Sequence, residues 1–266
     1  MRRTEERDPR AARLSSLTTR EVLELMNDGD ATVPPAVRAA LPRIERAVDA
    51  IVGAMRSGGR VRYVGAGTSG RLGVLDASEW PPTFGVDADA GRGIIAGGDR
   101  ALRESIEGAE DDPAAGERDV RAEARAGDVV IGISASGRAP YVRAALSAAR
   151  ALGARTVALT CDPSSPLASD AEIAIVVDVG PEILAGSSRL KAGTATKLVL
   201  NMLSTAAMVR LGRTRDDLMA DLRAVNAKLK ERAVRIVASE ARVDEGTARE
   251  RLERTDWDIR KAIALR

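Results

Sequence analysis

A doubly wound α/β domain built on a parallel sheet, with a small helical unit at its carboxyl end, is the fold class this sequence predicts. Three observations predict it. Short apolar runs alternate with helical stretches along most of the chain, the rhythm of successive strand–helix–strand units. The run VVIGI at 129–133 is apolar throughout rather than at every second residue, as a strand buried on both faces requires. From about residue 231 the composition turns charged and helical. The chain therefore divides into a main domain at 1–230, which includes an amino-terminal helical segment, and a unit at 231–266.

Each element has its own signal. Residues 33–55 space Val37, Ala40, Leu41, Ile44, Val48 and Ile51 at helical intervals, with Pro35 fitting a start and Pro42 a break. Strands follow at 61–64, near 93–96, and at 129–133, 156–160 and 173–177. After Gly186 the segment SSRLKAGTATKLVLNMLSTAAMVRLG predicts one long helix, central to the core, with Leu198, Met202 and Thr205 on its buried face. In the last unit Val243, Asp244 and Glu245 mark a helix start, and Leu252, Trp257, Ile259 and Ile263 close a small cluster of two or three helices. A core that small is marginal alone, so the unit is expected to dock on the main domain or on a second subunit.

Composition removes several functions. With 41 basic and 39 acidic residues the net charge is +2, and the basic residues are interspersed. No nucleic-acid surface is expected, while a small anionic ligand remains compatible. The amino terminus, MRRTEERDPRAAR, has no apolar run behind its arginines, and no segment approaches the ~20 apolar residues of a membrane span. The expected location is the cytoplasm. Histidine is absent and Cys161 is the one cysteine, which excludes serine–histidine and cysteine–histidine nucleophiles, histidine-bound zinc and disulfides. Acid–base chemistry is left to carboxylates, lysine, tyrosine or the substrate itself. Cys161, in VALTCDP, reads as a small buried residue.

Two loops carry the chemistry. The first, GAGTSGRLG from Gly65, leads from a strand into a helix and matches GxGxxG with Gly65, Gly67 and Gly70. No acidic residue follows at the distance a ribose needs, and no GKS or GKT triplet follows either. Alone it is weak evidence for a phosphate site, and an ordinary strand-to-helix turn is the plainer reading. The second loop, Ser134, Ala135, Ser136 and Gly137, ends the 129–133 strand and precedes a helix opening near Pro140. Two strand ends that each deliver hydroxyls and backbone N–H groups suit one phosphorylated ligand lying across the carboxyl edge of a parallel sheet.

Four longer motifs carry a resemblance: GAGTSGRLGVLDASEWPPTFG, IIAGGDRALRESIEGAEDD, GISASGRAPYV and GPEILAGSSRLKAGTATKLVLNMLST, in that order between Thr4 and Ala262. The chain resembles the N-acetylmuramic acid 6-phosphate etherases. The resemblance implies a sugar-isomerase, phosphosugar-binding fold, a cytoplasmic homodimer, no metal and no organic cofactor. It also implies a reaction that needs no histidine, in which the lactyl ether at C3 of the ring-opened sugar, β to the C1 aldehyde, leaves by elimination and water adds in its place. Glu79, in DASEWPPTFG, is then the acid candidate and Glu110, in EGAEDD, the second catalytic carboxylate, with the division of roles open. Flanking apolar and proline residues suggest a buried setting for Glu79, whereas Asp111 and Asp112 beside Glu110 read by themselves as a solvated face. Phosphate is assigned to Thr68, Ser69, Ser134, Ser136 and Gly137, and the sugar to Glu182, Ser187, Ser188, Arg189 and Lys191 at the start of the long helix, with surface charge the alternative for Arg189 and Lys191 on spacing alone.

This chain departs from the common family pattern at Ala139, where threonine is usual, at Trp80, often cysteine, and at Asp8, usually asparagine. The first removes one hydroxyl beside the second loop. Two other readings share the same motifs: a non-catalytic sugar-phosphate sensor of the glucokinase-regulator kind, which normally has two such modules, and an aldose–ketose phosphosugar isomerase.

Overall fold

The protein is described here by a computed structural model covering residues 3–222, 224 and 226–265, so the outer limits of the two expected units, residues 1 and 266, fall outside it. Its centre is a five-stranded, wholly parallel sheet in the order β2-β1-β3-β4-β5, formed by β1 (Val61–Gly65), β2 (Gly91–Ile95), β3 (Val129–Ile133), β4 (Arg155–Thr160) and β5 (Ile173–Val176). The second strand starts earlier than its sequence suggests, because Gly91 pairs with Val61 at the first register position.

Helices cover both faces, as a parallel sheet demands. On one side lie α1 (Thr19–Asp30), α2 (Val33–Ala39), α3 (Leu41–Arg56), α4 (Gly67–Ser78), the short α5 (Trp80–Phe84) and the long α9 (Lys191–Arg210). The other side holds α6 (Pro113–Glu123), α7 (Pro140–Ala151) and α8 (Pro166–Asp170). Strand alternation assigns the faces: Val61, Tyr63, Val129, Ile131 and Ile133 pack toward α3 and α9, while Val64 and Val130 pack toward α7. The break between α2 and α3 falls at Ala40, just ahead of Pro42, because proline lacks the N–H and is tolerated at a first helical turn.

The strand order fixes where a ligand can sit. The chain leaves β1 outward to β2, then returns past β1 to β3 and continues the other way. The carboxyl ends of β1 and β3 therefore flank the point where the winding reverses, where the crossing helices diverge and open a crevice.

Two expectations about α9 need correction. It begins at Lys191, so Ser187, Ser188 and Arg189 form the turn before it, closed by the N–H of Leu190 donating to the Ser187 carbonyl at 3.2 Å. Its buried face is Ala192, Ala195, Val199, Leu203 and Ala207, whereas Met202 and Thr205 face outward and Leu198 is half-buried. The helix is apolar around most of its circumference, so spacing alone does not select a face.

A separate cluster closes the carboxyl end, where α10 (Ala227–Ala241), α11 (Glu245–Arg254) and α12 (Ile259–Ala264) enclose Val234, Val237, Ala248, Leu252, Ile259 and Ala262. Trp257 and Ile263 are only partly buried against it. Side-chain caps set where these three helices start: Asn226, Asp244 and Asp258 each accept an N–H from the first turn that follows. Arg260 anchors the unit to the body through Asp221 and the Gly212 carbonyl.

Candidate functional site

Gly65 and Ile133 are register partners, so the two loops start side by side at the same level of the sheet. In the first, the backbone doubles back so tightly that a Cβ on Gly65 would lie 2.6 Å from the Gly70 nitrogen. Only glycine permits that approach, and it brings the first turn of α4 directly over the strand end. Ala66 caps α4 without a side-chain hydrogen bond, which leaves the N–H groups of the Thr68 and Ser69 turn uncapped by it, as partial positive charge at the helix start.

The second loop is braced from within. The Gly137 N–H donates to Ser134 Oγ at 3.1 Å and the Arg138 N–H to Ser136 Oγ at 3.4 Å, so both hydroxyl oxygens act as acceptors and keep their own hydrogens to donate. Gly137 has φ of +65°, and a Cβ there would lie 1.6 Å from Ser165 Oγ. Ser165 and Thr160, from the end of β4 and the turn after it, thus wall the loop, and Thr160 Oγ1 donates to the Ala135 carbonyl at 3.1 Å.

The first turn of α9 lies beside the first loop. A Cβ on Gly193 would sit 3.7 Å from Thr68 Cγ2 and 3.8 Å from the Ser188 carbonyl. Glu182 is buried and accepts the N–H of Lys191 and of Ala192, each at 2.9 Å, one on each carboxylate oxygen. Its carboxylate sits where the α9 dipole is most positive, so Glu182 is placed as a helix cap that fixes the start of α9. Lys191 is also buried and donates from Nζ to the Val179 carbonyl at 2.7 Å. Arg189 is exposed and lines, with Asp8, Arg10, Glu182 and Lys191, a cavity of about 170 Å³. Asp8 pairs with Arg10 at 2.7 Å, and that hydrogen-bonded guanidinium holds the Asp8 carboxyl below its ordinary value. Cys161 is buried as expected, its thiol pushed up to about 12 by burial and then by the negative charge of Glu182 and Asp178.

The two catalytic candidates are not brought together within one chain. Glu110 is exposed on a short 3-10 turn and lines a cavity of about 260 Å³ with Ala66 and Gly67 of the first loop. Arg71, one turn into α4, ties that segment down by donating to the carbonyls of Leu102 and Glu104 at 3.3 and 2.8 Å. Arg71 escapes a reading of the sequence, although its place one turn beyond a phosphate loop is the available signal. Glu79 lies at the opposite end of α4, between α4 and α5. The buried setting expected for it is not found: Glu79 is exposed, because the helix junction turns Trp80 inward and Glu79 out.

What is buried at that junction is Asp76. Its Oδ2 accepts from Tyr63 Oη at 2.9 Å and Trp80 Nε1 at 3.0 Å, and its Oδ1 from Ser204 Oγ at 3.1 Å. Burial pushes the Asp76 carboxyl above its ordinary value, and the three donors pull against that rise.

A larger concavity, about 940 Å³, is elsewhere: an apolar groove between α3 and α9 lined by Leu41, Val48, Leu198, Met202 and Val209. Among the described residues no cluster of acidic and cysteine side chains is arranged to hold a metal ion, and no helix is long and apolar enough to cross a membrane.

Residues 43–150 match the family described as the glucokinase regulatory protein N-terminal SIS domain, and residues 110–206 match the SIS domain family. The N-acetylmuramic acid 6-phosphate etherase of Pectobacterium atrosepticum is 52% identical over 263 residues, covering 98% of this chain and 87% of that protein. The etherase of Yersinia pestis is 51% identical over 98% of this chain and 89% of its own length. Among solved structures, phosphoheptose isomerase from Neisseria gonorrhoeae shares the fold, with a TM-score of 0.55 and 19% identity over 71% of this chain and 98% of the isomerase.

Proposed function

The chain belongs to the N-acetylmuramic acid 6-phosphate etherase family, and on that footing we propose how its residues divide the work. The enzyme is a carbon–oxygen lyase that releases D-lactate from N-acetylmuramic acid 6-phosphate and leaves N-acetylglucosamine 6-phosphate. In the ring-opened substrate a carboxylate takes the C2 proton, the C3–O bond breaks, and a carboxylic acid protonates the departing lactate oxygen. Water then adds across the unsaturated aldehyde, oxygen to C3 and hydrogen to C2.

One observation carries the placement of the substrate: the first two loops begin in register at the point where the sheet winding reverses. The phosphate is held by the Thr68 and Ser69 turn and by the hydroxyls of Ser134 and Ser136 with Gly137 between them, donors suited to a dianion that takes no part in the chemistry. The sugar extends toward Ser187, Ser188, Arg189 and Lys191, whose segment leads into the turn of α9 where Gly193 lies beside Thr68. Glu182 contributes by fixing that segment.

Glu110 reaches this substrate from its own chain. Glu79 does not, since at about 1.5 Å per residue the step along α4 from Thr68 to Glu79 spans roughly 17 Å. If both carboxyls act on one substrate, Glu79 comes from a second copy of the chain. A homodimer is therefore part of this reading, and the apolar groove between α3 and α9 is surface available to it. We further read residues 231–266 as a small unit appended to the phosphosugar domain at 1–230, and the enzyme as cytoplasmic.

The test is D-lactate release by the purified chain in water enriched in heavy oxygen, where label at C3 of the product is expected; saturable sugar-phosphate binding without lactate release would favour a sensor. Glu79→Gln and Glu110→Gln should each lower kcat about 10²-fold or more with little change in KM. Mixing and reassociating the two inactive variants should restore about a quarter of wild-type activity, since half of the dimers are mixed and each then holds one intact site. No restoration would place both carboxyls in one chain.

A further inference from the structure

We propose that Asp76 is a positioning residue for Glu79, fixing the direction in which the junction between α4 and α5 presents that side chain. The inference rests on the reading of Glu79 as a catalytic carboxyl. Glu79 caps both helices, closing α4 and opening α5, and its N–H donates to the Asp76 carbonyl at 3.2 Å. A helix end left to itself frays. This one is held on both sides, by Asp76 one turn before Glu79 and by Trp80 immediately after it, and both are buried.

The hold is directional. Trp80 lies edge-on to Tyr63, with ring centroids 6.2 Å apart and planes at 89°. Its indole also fills the space where Gly91 has no side chain, a Cβ there being 2.7 Å from Trp80 Cε3. Those contacts fix the plane of the ring, and the bond from Nε1 to Asp76 fixes its rotation within that plane. Tyr63 brings β1 to the same carboxylate and Ser204 brings α9, the helix that starts at the sugar segment. The single Ser204 hydrogen has a choice among Asp76 Oδ1 at 3.1 Å and the Leu200 and Asn201 carbonyls at 3.0 and 3.4 Å, and a charged acceptor is the strongest of them.

Packing alone would not select a carboxylate here. A buried acid costs stability that an apolar side chain of similar volume would avoid, whereas a fully satisfied buried polar group restricts neighbouring side chains to one arrangement. That restriction is located beside Glu79, and loss of alignment by about 1 Å is enough to cost on the order of 10²-fold in rate.

Lactate-release kinetics of Asp76→Asn, Trp80→Phe, Glu79→Gln and the Asp76→Asn/Glu79→Gln double variant test this. Asp76→Asn is expected to lower kcat about 10- to 100-fold with KM within about twofold, and Trp80→Phe, which keeps an aromatic ring but loses the N–H, to lower kcat severalfold. The double variant should be no slower than Glu79→Gln alone, since both changes act through one group. Wild-type kcat in folded Asp76→Asn and Trp80→Phe, or multiplying losses in the double variant, would overturn the inference. Should Asp76→Asn not fold, Trp80→Phe decides. Wild-type kcat in Glu79→Gln would instead remove the catalytic reading on which the inference stands.

Discussion

The two edges of the sheet treat polar groups in opposite ways. At the amino edge the charges are matched: Arg62, fully buried on β1, donates to the Glu123 and Asp89 carbonyls at 3.0 and 2.9 Å and to Asp89 Oδ1 at 2.6 Å. Asp128, equally buried, accepts from Arg60 Nη2 at 2.8 Å and from the N–H groups of Arg60 and Arg125 at 2.9 and 3.0 Å. At the carboxyl edge, Thr4 Oγ1, Arg138 Nε, Asp162 Oδ2 and Ser165 Oγ are buried without a hydrogen-bond partner among the described residues. Three of these surround the second loop, and the fourth belongs to Thr4, whose carbonyl accepts from Gly186 beside the sugar segment. An unmatched buried polar atom costs about 1–3 kcal/mol, so one edge holds the fold together while the other carries uncommitted polar groups beside the proposed ligand site.

Substitutions at the two edges should separate stability from binding. The largest effect is expected for Asp128→Ala, which leaves the backbone N–H groups of Arg60 and Arg125 without an acceptor and the Arg60 guanidinium with Asp89 as its one carboxylate partner among the described residues. It should lower unfolding free energy by about 3–5 kcal/mol in urea titrations, with KM unchanged in the protein that remains folded. A raised KM would mean that the amino edge also serves binding. Next is Gly137→Ala, which forces a side chain into positive φ and onto Ser165. Strain of about 1–3 kcal/mol should appear chiefly as a KM raised by about ten- to a hundredfold, and a loss confined to the melting temperature would erase the contrast. Ser136→Ala should raise KM about tenfold, the worth of one charge-assisted hydrogen bond, and leave the melting temperature within a degree or two of wild type.

The smallest effect is an alkaline one. Folded Cys161 keeps its proton up to about pH 12, whereas a thiol in the unfolded chain releases it near 9. The unfolded state therefore gains stability as pH rises through that window, by up to about 1.4 kcal/mol per pH unit, with no contribution at neutral pH. Stability measured between about pH 8 and 10 should fall more steeply in wild type than in Cys161→Ala; equal slopes would show that Cys161 opens locally.

The sequence is most legible where backbone geometry dictates residue type. Both loops stand out because close approach at Gly65 and positive φ at Gly137 demand glycine, and because VVIGI can only be a buried strand. What it hides depends on contacts between distant residues. Asp76 shows no periodic signal, since its partners Tyr63 and Ser204 lie 13 and 128 positions away. For Glu182, nothing local reveals that its carboxylate caps the start of a helix nine residues on. Apolar neighbours mislead about the setting of Glu79, since a helix junction can bury one residue and expose the next. The outward face of α9 is concealed by a helix apolar nearly all round.

The chain has two tryptophans, and the fold gives one to each of two hydrophobic clusters: Trp80 in the main core against Tyr63, and Trp257, half-buried under the Lys230 ammonium at 4.6 Å, in the carboxyl-terminal cluster. The molecule thus has an intrinsic fluorophore for each region. With Trp257 replaced by phenylalanine, emission reports the packing behind Glu79; with Trp80 replaced, it reports the appended helices, and the two can be watched melting in turn or together without any added label.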